Sequence, residues 1–308
     1  MKLSLGLPAP ISISDSELFT APSMVTIAQR AEELGFDAVY ATDHPAPTSK
    51  WLKRGGHLGL DPFVALSIAA AVTTTLRLHT NLLVLPYRNP FLAAKSVSSL
   101  DVASQGRAII GVGSGYLEGE FRALGVGFDD RNDRSDEALR MMTQAWSGTP
   151  VQHEGSDFSA DDTVVLPATP QQPRPPLWIG GNSKRAIRRA IELGDGWAPM
   201  GSPAGSEVYL HTPPISGAAS LGDRIGYARE HAAAVGRTEP LDIVFAAQQL
   251  SKFATSGITA DAIAEEAAAL AAVGVTWLTV ELPGETLAEF LPNIERFGTD
   301  ILPTLRSL

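Results

Sequence analysis

A chain of 308 residues, 44% hydrophobic and 19% charged, carries enough apolar mass for a substantial core and too little charge for disorder. Lys+Arg 24 against Asp+Glu 34 leaves a net charge of −10 with no basic block, which argues against nucleic acid or an anionic membrane surface as partner. The absence of cysteine excludes disulfides, thiolate metal ligands and cysteine nucleophiles.

The N-terminal stretch MKLSLGLPAP has one Lys, no apolar core and prolines at 8 and 10, so a signal peptide is not expected. No apolar run approaches the ~20 residues that a membrane helix needs, and a cytoplasmic location is the expectation. Residues 2–6 read as a strand, and 23–34 as a helix stopped by Gly35 at a C′ position. A second strand covers 36–41. Asp61-Pro62 and Asn89-Pro90 each pair an N-cap with an N1 proline, opening helices before and after a third strand at 76–83. The fourth strand, 107–112, is an unbroken apolar run, as expected where helices cover both faces of a parallel strand. A long helix follows at 133–146.

Residues 149–175 are Pro-rich and locally acidic, with apolar runs at Val151 and at 164–166, and read as an inserted hairpin and loop. Strand and helix then alternate again: strand 177–179, helix 183–193, strand 196–199. A Gly/Pro/Ser-rich loop occupies 201–220. Helix 221–235, strand 241–247, helix 260–272, strand 276–281 and a last helix at 285–298 complete the pattern. Repeated βα units with no splitting linker predict one α/β domain over 1–308. Eight such units suggest a (β/α)8 TIM barrel with insertions after the fourth and sixth strands, with a doubly wound open sheet as the alternative.

In a barrel, chemistry gathers at the C-terminal ends of the strands. There the second strand ends in Asp43-His44, which reads as an acid/base pair or as a surface histidine before a proline turn. The run from Gly111 to Gly115 resembles a dinucleotide fingerprint but has Tyr116 where the last glycine belongs. Its glycines suit close approach to a flat ring or a turn with positive φ; a plain strand-to-helix turn explains them equally. Gly180-Gly181-Asn182-Ser183 opens a helix, where backbone N–H groups and the dipole favour phosphate, and where ordinary capping is also sufficient. The six histidines show no metal-ligand spacing and no GxSxG elbow is present, so neither a metal site nor serine-hydrolase chemistry is expected.

Three segments carry a resemblance: AEELGFDAVYATDH (31–44), LHTNLLVLPYRNPFLAAKSVSSLDVASQGRAIIGVGSGYLEGEFRALGV (78–126) and PLWIGGNSKRAIRRAIELGDGWAP (176–199). The chain is similar to the luciferase-like flavin and deazaflavin oxidoreductases, over roughly the first 200 residues, and most to the branch that uses coenzyme F420. The resemblance implies His44 beside the deazaflavin ring with Asp43 next to it, and a bulge with a non-prolyl cis peptide at Asn81–Leu82 behind the ring. It further implies Gly113 near the ring and Gly180, Gly181 and Asn182 at the phosphate. Sugar-phosphate dehydrogenases of the family carry a catalytic glutamate where this chain has Tyr116, which points away from that substrate and makes Tyr116 the alternative proton donor. Trp51, Glu120 and Trp197 are the candidate substrate contacts, while structural roles are expected for Arg88 and Lys95. The resemblance implies F420-dependent hydride transfer to or from a small organic substrate (C=O, C=N, activated C=C or alcohol), with a homodimer and a cofactor reductase as partners. The alternative is an FMN-dependent two-component monooxygenase using reduced FMN and O2.

Overall fold

The apolar runs pair side by side in parallel, and the last closes on the first. The computed structural model describes residues 1–10, 17–155, 157–247, 253 and 258–308. Its first half contains β1 (Lys2–Gly6), α1 (Ala21–Leu34), β2 (Ala38–Ala41), α2 (Ser49–Leu52), α3 (Pro62–Val72), β3 (Arg77–Val84), α4 (Pro90–Ala103) and β4 (Ala108–Gly113). Then come α5 (Glu118–Ala123), α6 (Arg131–Ala145), β5 (Val151–Glu154), β6 (Ser159–Thr163), β7 (Leu177–Gly180), α7 (Lys184–Leu193) and β8 (Gly196–Ala198). The remainder is α8 (Glu207–Leu210), α9 (Ala218–Ala234), β9 (Asp242–Ala246), α10 (Ala260–Val273), β10 (Trp277–Val280), α11 (Leu287–Asp300) and α12 (Leu302–Arg306). Among the described residues the barrel order is β1-β10-β9-β8-β7-β4-β3-β2, all parallel, while β5 and β6 form a separate antiparallel hairpin. The expected (β/α)8 barrel is therefore present, and closure leaves no open edge.

Local chemistry sets the element ends. Gly35 adopts φ +89° after α1, and the Asp61 and Asn89 side chains accept hydrogen bonds from the second and third residues of α3 and α4. The inserted stretch 149–175 does hold a hairpin. Its second strand is Ser159–Thr163, with His153 paired to Ala160, and the apolar 164–166 run follows it with Val164 and Leu166 exposed. The 201–220 stretch contains the short helix α8 and an isolated bridge between Ser202 and Ile215, and α9 starts at Ala218, earlier than expected. The short helices α2, α5 and α12 have no periodic sequence signal to betray them, since each spans less than two turns.

Most buried apolar side chains lie between the strands and the surrounding helices. A smaller cluster of Ala38, Ile109, Trp178, Ala198, Val244 and Trp277 fills the barrel itself, with Leu82 against it. Trp178 and Trp277 meet at 5.0 Å between ring centroids, and His79 packs on Trp178 at 4.7 Å. Bulk thus plugs the barrel low down. The inward positions nearer the strand ends are small: Gly113, Gly180, Ala198 and Ala246. That gradient of side-chain volume puts a cavity at the C-terminal face. No described helix is long and apolar enough to cross a membrane.

Candidate active site

The cavity holds about 460 Å³ and is walled by the ends of β2, β3, β4, β7, β8, β9 and β10 with the loops beyond them. Strand parity decides what enters it. On β2, Ala38 and Tyr40 face inward, and continuing the alternation brings Thr42 and His44 to the cavity, which Asp43 between them also borders. The Asp43 carboxylate is buried and accepts hydrogen bonds from Val84 N at 2.9 Å and Arg88 Nη2 at 2.8 Å. Burial raises its pKa, with the Arg88 charge opposing. Asp43 thus borders the cavity, while its carboxylate fastens the turn after β3 and makes no hydrogen bond to the His44 ring. Arg88 is structural, as expected, and Lys95 donates to Leu166 O.

The carboxylate that does meet His44 comes from α5. Glu120 is 1% exposed, with Oε2 at 3.2 Å from His44 Nδ1. Tyr87 Oη donates to Glu120 Oε2 at 2.9 Å and Ala46 N to Oε1 at 3.2 Å. A carboxylate already accepting two hydrogen bonds serves as acceptor for a third, so Nδ1 carries the proton. Nε2 has no hydrogen bond to any described residue and is left for a ligand. Glu120 was expected at the substrate; it lies behind the histidine instead. An acidic residue in the first turn of a helix reads locally as a dipole partner, which hides this role.

Three further rings surround His44: Trp51 at 4.7 Å, His57 at 5.0 Å and Tyr116 at 6.0 Å between centroids. Trp51 reaches the site through this stack and does not itself wall the cavity. A Cβ on Gly56 would lie 2.3 Å from the Trp51 ring, so the glycine is what lets the indole fold back onto its own loop. Burial, then the nearby His44, lowers His57 to a pKa of about 4, and its Nε2 is a buried atom without a partner. Burial and then the Glu120 charge push the Tyr116 phenol up to about 12. Tyr116 is a hydrogen-bond donor at neutral pH, not a base.

On the β3 side the register with β4 shifts between Thr80 and Leu83, and the Asn81–Leu82 peptide is cis. Leu82 projects against glycines of the two neighbouring strands. A Cβ on Gly180 would lie 2.0 Å from Leu82 Cδ1, one on Gly111 2.9 Å from Leu82 Cδ2, and one on Gly113 3.3 Å from Cδ1. These three glycines make room for the bulge. Positive φ belongs to Gly115 (+76°) and Gly181 (+106°). The result is a smooth apolar wall with His44 on the rim, shaped for a flat ring.

Beyond Gly181, the amino end of α7 opens to the cavity with Ser183 as its cap, and Arg131, Arg185 and His211 stand around it. Arg185 pairs with Asp133 and Asp136; Arg189 is held by Asp136, Ser114 Oγ and Asn132 O. This end suits an anion. Asn182 was expected among its contacts, but the side chain is wholly buried. It donates to Met200 O at 2.8 Å and Pro213 O at 2.7 Å and accepts from Met200 N at 2.8 Å, which pins two loops together. Trp197, expected at the substrate, is fully buried among the outer core residues and donates to Gly181 O at 2.8 Å. It sits between inward-facing Gly196 and Ala198, so parity sends it toward the helices.

Missed from sequence are Tyr40, Thr42, Arg131 and Glu281, all of which wall the cavity. Tyr40 Oη donates to Glu281 Oε1 at 3.1 Å across 241 positions of chain. Parity on β2 would have found Tyr40 and Thr42, while nothing local singles out Glu281. Among the described residues, no group of three or more His, Asp or Glu is placed to hold a metal ion.

Comparison with known proteins agrees with this geometry. A family model described as luciferase-like monooxygenase matches residues 1–273. An F420-dependent glucose-6-phosphate dehydrogenase of Intrasporangium calvum is 27% identical over 342 aligned positions, covering 96% of this chain and 98% of the relative. An F420-dependent hydroxymycolic acid dehydrogenase of Mycobacterium tuberculosis is 31% identical over 184 positions, 59% of this chain and 49% of that protein. Among solved structures, a monooxygenase from Streptomyces bottropensis shares the fold, with TM-score 0.77 and 22% identity over 98% of this chain and 99% of that one. With a match running from β1 through the end of α10, over a closed barrel whose cavity joins an apolar wall to the amino end of α7, the chain belongs to the luciferase-like monooxygenase family.

Proposed function

We propose that this chain is a coenzyme F420-dependent oxidoreductase acting on a small organic substrate at a carbonyl, imine, activated alkene or alcohol carbon. The observation that carries the reading is His44, fixed through Nδ1 by buried Glu120 and presenting Nε2 to a cavity backed by the Leu82–glycine wall. The full-length similarity to an F420-dependent dehydrogenase supports the choice of cofactor.

The residues present fit that group. Leu82 with Gly113 and Gly180 would back its ring, and the amino end of α7 with Gly181, Arg131 and Arg185 would receive its phosphate. Bound F420 supplies or accepts a hydride at C5 of its deazaflavin. His44 Nε2 takes the proton from a substrate hydroxyl during oxidation and returns it during reduction. Glu120 stabilises the imidazolium formed in between and prevents the ring from turning. Tyr116, keeping its proton, donates a hydrogen bond to the substrate oxygen or nitrogen. Trp51 and His57 close over His44 and exclude water from the proton transfer.

A homodimer and a separate F420 reductase complete the proposal. Exposed Val64 on α3 and Leu92 on α4 supply apolar surface for the dimer. The test is titration of oxidised F420 into the protein, read by quenching of its fluorescence. Binding at micromolar protein, followed by His44-dependent turnover in a substrate screen, is the expected result. Tight FMN binding without F420 binding, with O2 consumed alongside reduced FMN, would replace this reading by two-component monooxygenation.

A further inference from the structure

One wall of the cavity has no part in the chemistry above. Tyr40 faces inward from β2, and Glu281 directly follows β10. β1 lies between those two strands in the barrel, so the phenol reaches the carboxylate only by crossing β1. The crossing point is Gly6, where a Cβ would lie 3.0 Å from both Tyr40 Cζ and Oη. Burial, then the Glu281 charge, pushes the Tyr40 pKa well above its ordinary value, so the phenol donates and the carboxylate accepts. Glu281 Oε2 has no hydrogen bond to a described residue, and the side chain is exposed on the cavity wall. The arginines that wall the cavity lie elsewhere: Arg185 and Arg189 are on α7 and Arg131 stands beside it, α7 follows β7, and β7 is diametrically opposite β1 in the ring of strands. The cavity is therefore polarised, with cations at its anion-binding end and an open carboxylate at the far wall.

We propose that Glu281, held by Tyr40 across Gly6, selects the substrate: it accepts a hydrogen bond from a substrate hydroxyl or ammonium group and turns away phosphate and carboxylate. Like charges brought together within a cavity repel, and an anion placed against this wall meets that carboxylate without a neighbouring arginine to offset it. An open acceptor with one oxygen already fixed is also pre-organised, since the Tyr40 bond restricts the rotation that binding would otherwise have to arrest. The proposal rests on the reading above only in placing the substrate within reach of His44.

The test uses three probes that share one ring and differ in charge: glucose, glucosamine and glucose 6-phosphate. Each is titrated at neutral pH against the protein, with and without F420, and saturation is followed by the shift in melting temperature. The expected order is glucosamine tightest, then glucose, then glucose 6-phosphate, with at least about a tenfold gap between the last two. Glu281→Gln keeps the shape and should erase that gap, while Tyr40→Phe should narrow it. The unliganded melting temperature of each variant verifies that it folds. Glucose 6-phosphate saturating as readily as glucose, an order unchanged in Glu281→Gln, or no saturation by any probe overturns the proposal. The F420 titration reads the cofactor assignment separately, so failure of one is distinguishable from failure of the other.

Discussion

Substituting Gly180 by Ala tests the wall behind the proposed ring site. The new Cβ would lie 2.0 Å from Leu82 Cδ1 and 3.2 Å from Val112 O. Carbon atoms pack best at about 3.5–4.0 Å, so the leucine must retreat by roughly 1.5–2 Å. Gly111 and Gly113 border it on the β4 side, and Leu82 Cδ2 already occupies the space that a Gly111 Cβ would take. Its way out is into the cavity, over the surface proposed for the ring. Overpacking of this kind costs about 1–3 kcal/mol of stability. The displaced methyl should weaken F420 binding at least about tenfold, or ~1.4 kcal/mol. Stability is read from urea unfolding followed by tryptophan fluorescence, and affinity from quenching of the cofactor. The deciding measurement is the double variant. Leu82→Ala removes the clashing methyl, so Gly180→Ala should cost much less in that background, with a coupling of about 1–3 kcal/mol. Additive effects, or a Gly180→Ala protein within about 0.5 kcal/mol of the parent and with unchanged affinity, would refute the argument that Leu82 is why the position is glycine.

Glu120→Gln should lower kcat by about 10- to 100-fold with little change in cofactor affinity, because it disturbs the donor–acceptor pattern that fixes His44; a shifted pH profile of kcat separates this from loss of packing. Asn182→Ala leaves Met200 O, Pro213 O and Met200 N without their partner. A loss of about 2–4 kcal/mol is expected in urea unfolding, and a change below 1 kcal/mol would mean water replaces the side chain. Acid should destabilise the protein early. Burial, then the Arg77 charge, lowers His79 to a pKa of about 3, against 6.5 for the exposed residue. Below 6.5 the unfolded chain binds a proton that the native ring refuses, so stability is complete above 6.5 and declines as pH falls toward 3. The slope is about 1.4 kcal/mol per pH unit, doubled by His57 down to its pKa of about 4. Urea unfolding between pH 6.5 and 5 should show it, and His79→Phe should halve the slope.

Local signals survived folding because they depend on neighbours in the chain. The Asp61-Pro62 and Asn89-Pro90 helix starts and the Gly35 stop each need only the next few residues. The barrel was legible for a related reason, since eight apolar runs that must each be covered by helices leave few architectures. Residue types at the strand ends correctly marked His44, Gly113, Gly180 and Gly181 as cavity residues. Parity was the missing information. Asp43 and His44 both border the cavity, yet the Asp43 carboxylate is taken up by Val84 N and Arg88 while the His44 ring is held by Glu120, and Trp197 lies buried on the outer side of a strand whose neighbouring residues face in.

The sequence by itself determined the βα alternation, the caps, the acidic cysteine-free character and the strand ends at which chemistry would gather. These follow from periodicity, backbone chemistry and composition, all local or additive. Only the tertiary structure decided which carboxylate serves His44, since Glu120 lies 76 positions away, and which one the Tyr40 phenol reaches, 241 positions away across Gly6. It also decided that the glycines of β4 and β7 belong to Leu82. Barrel closure brings such residues together, and the meeting of side chains from distant strands leaves no period or motif in the chain.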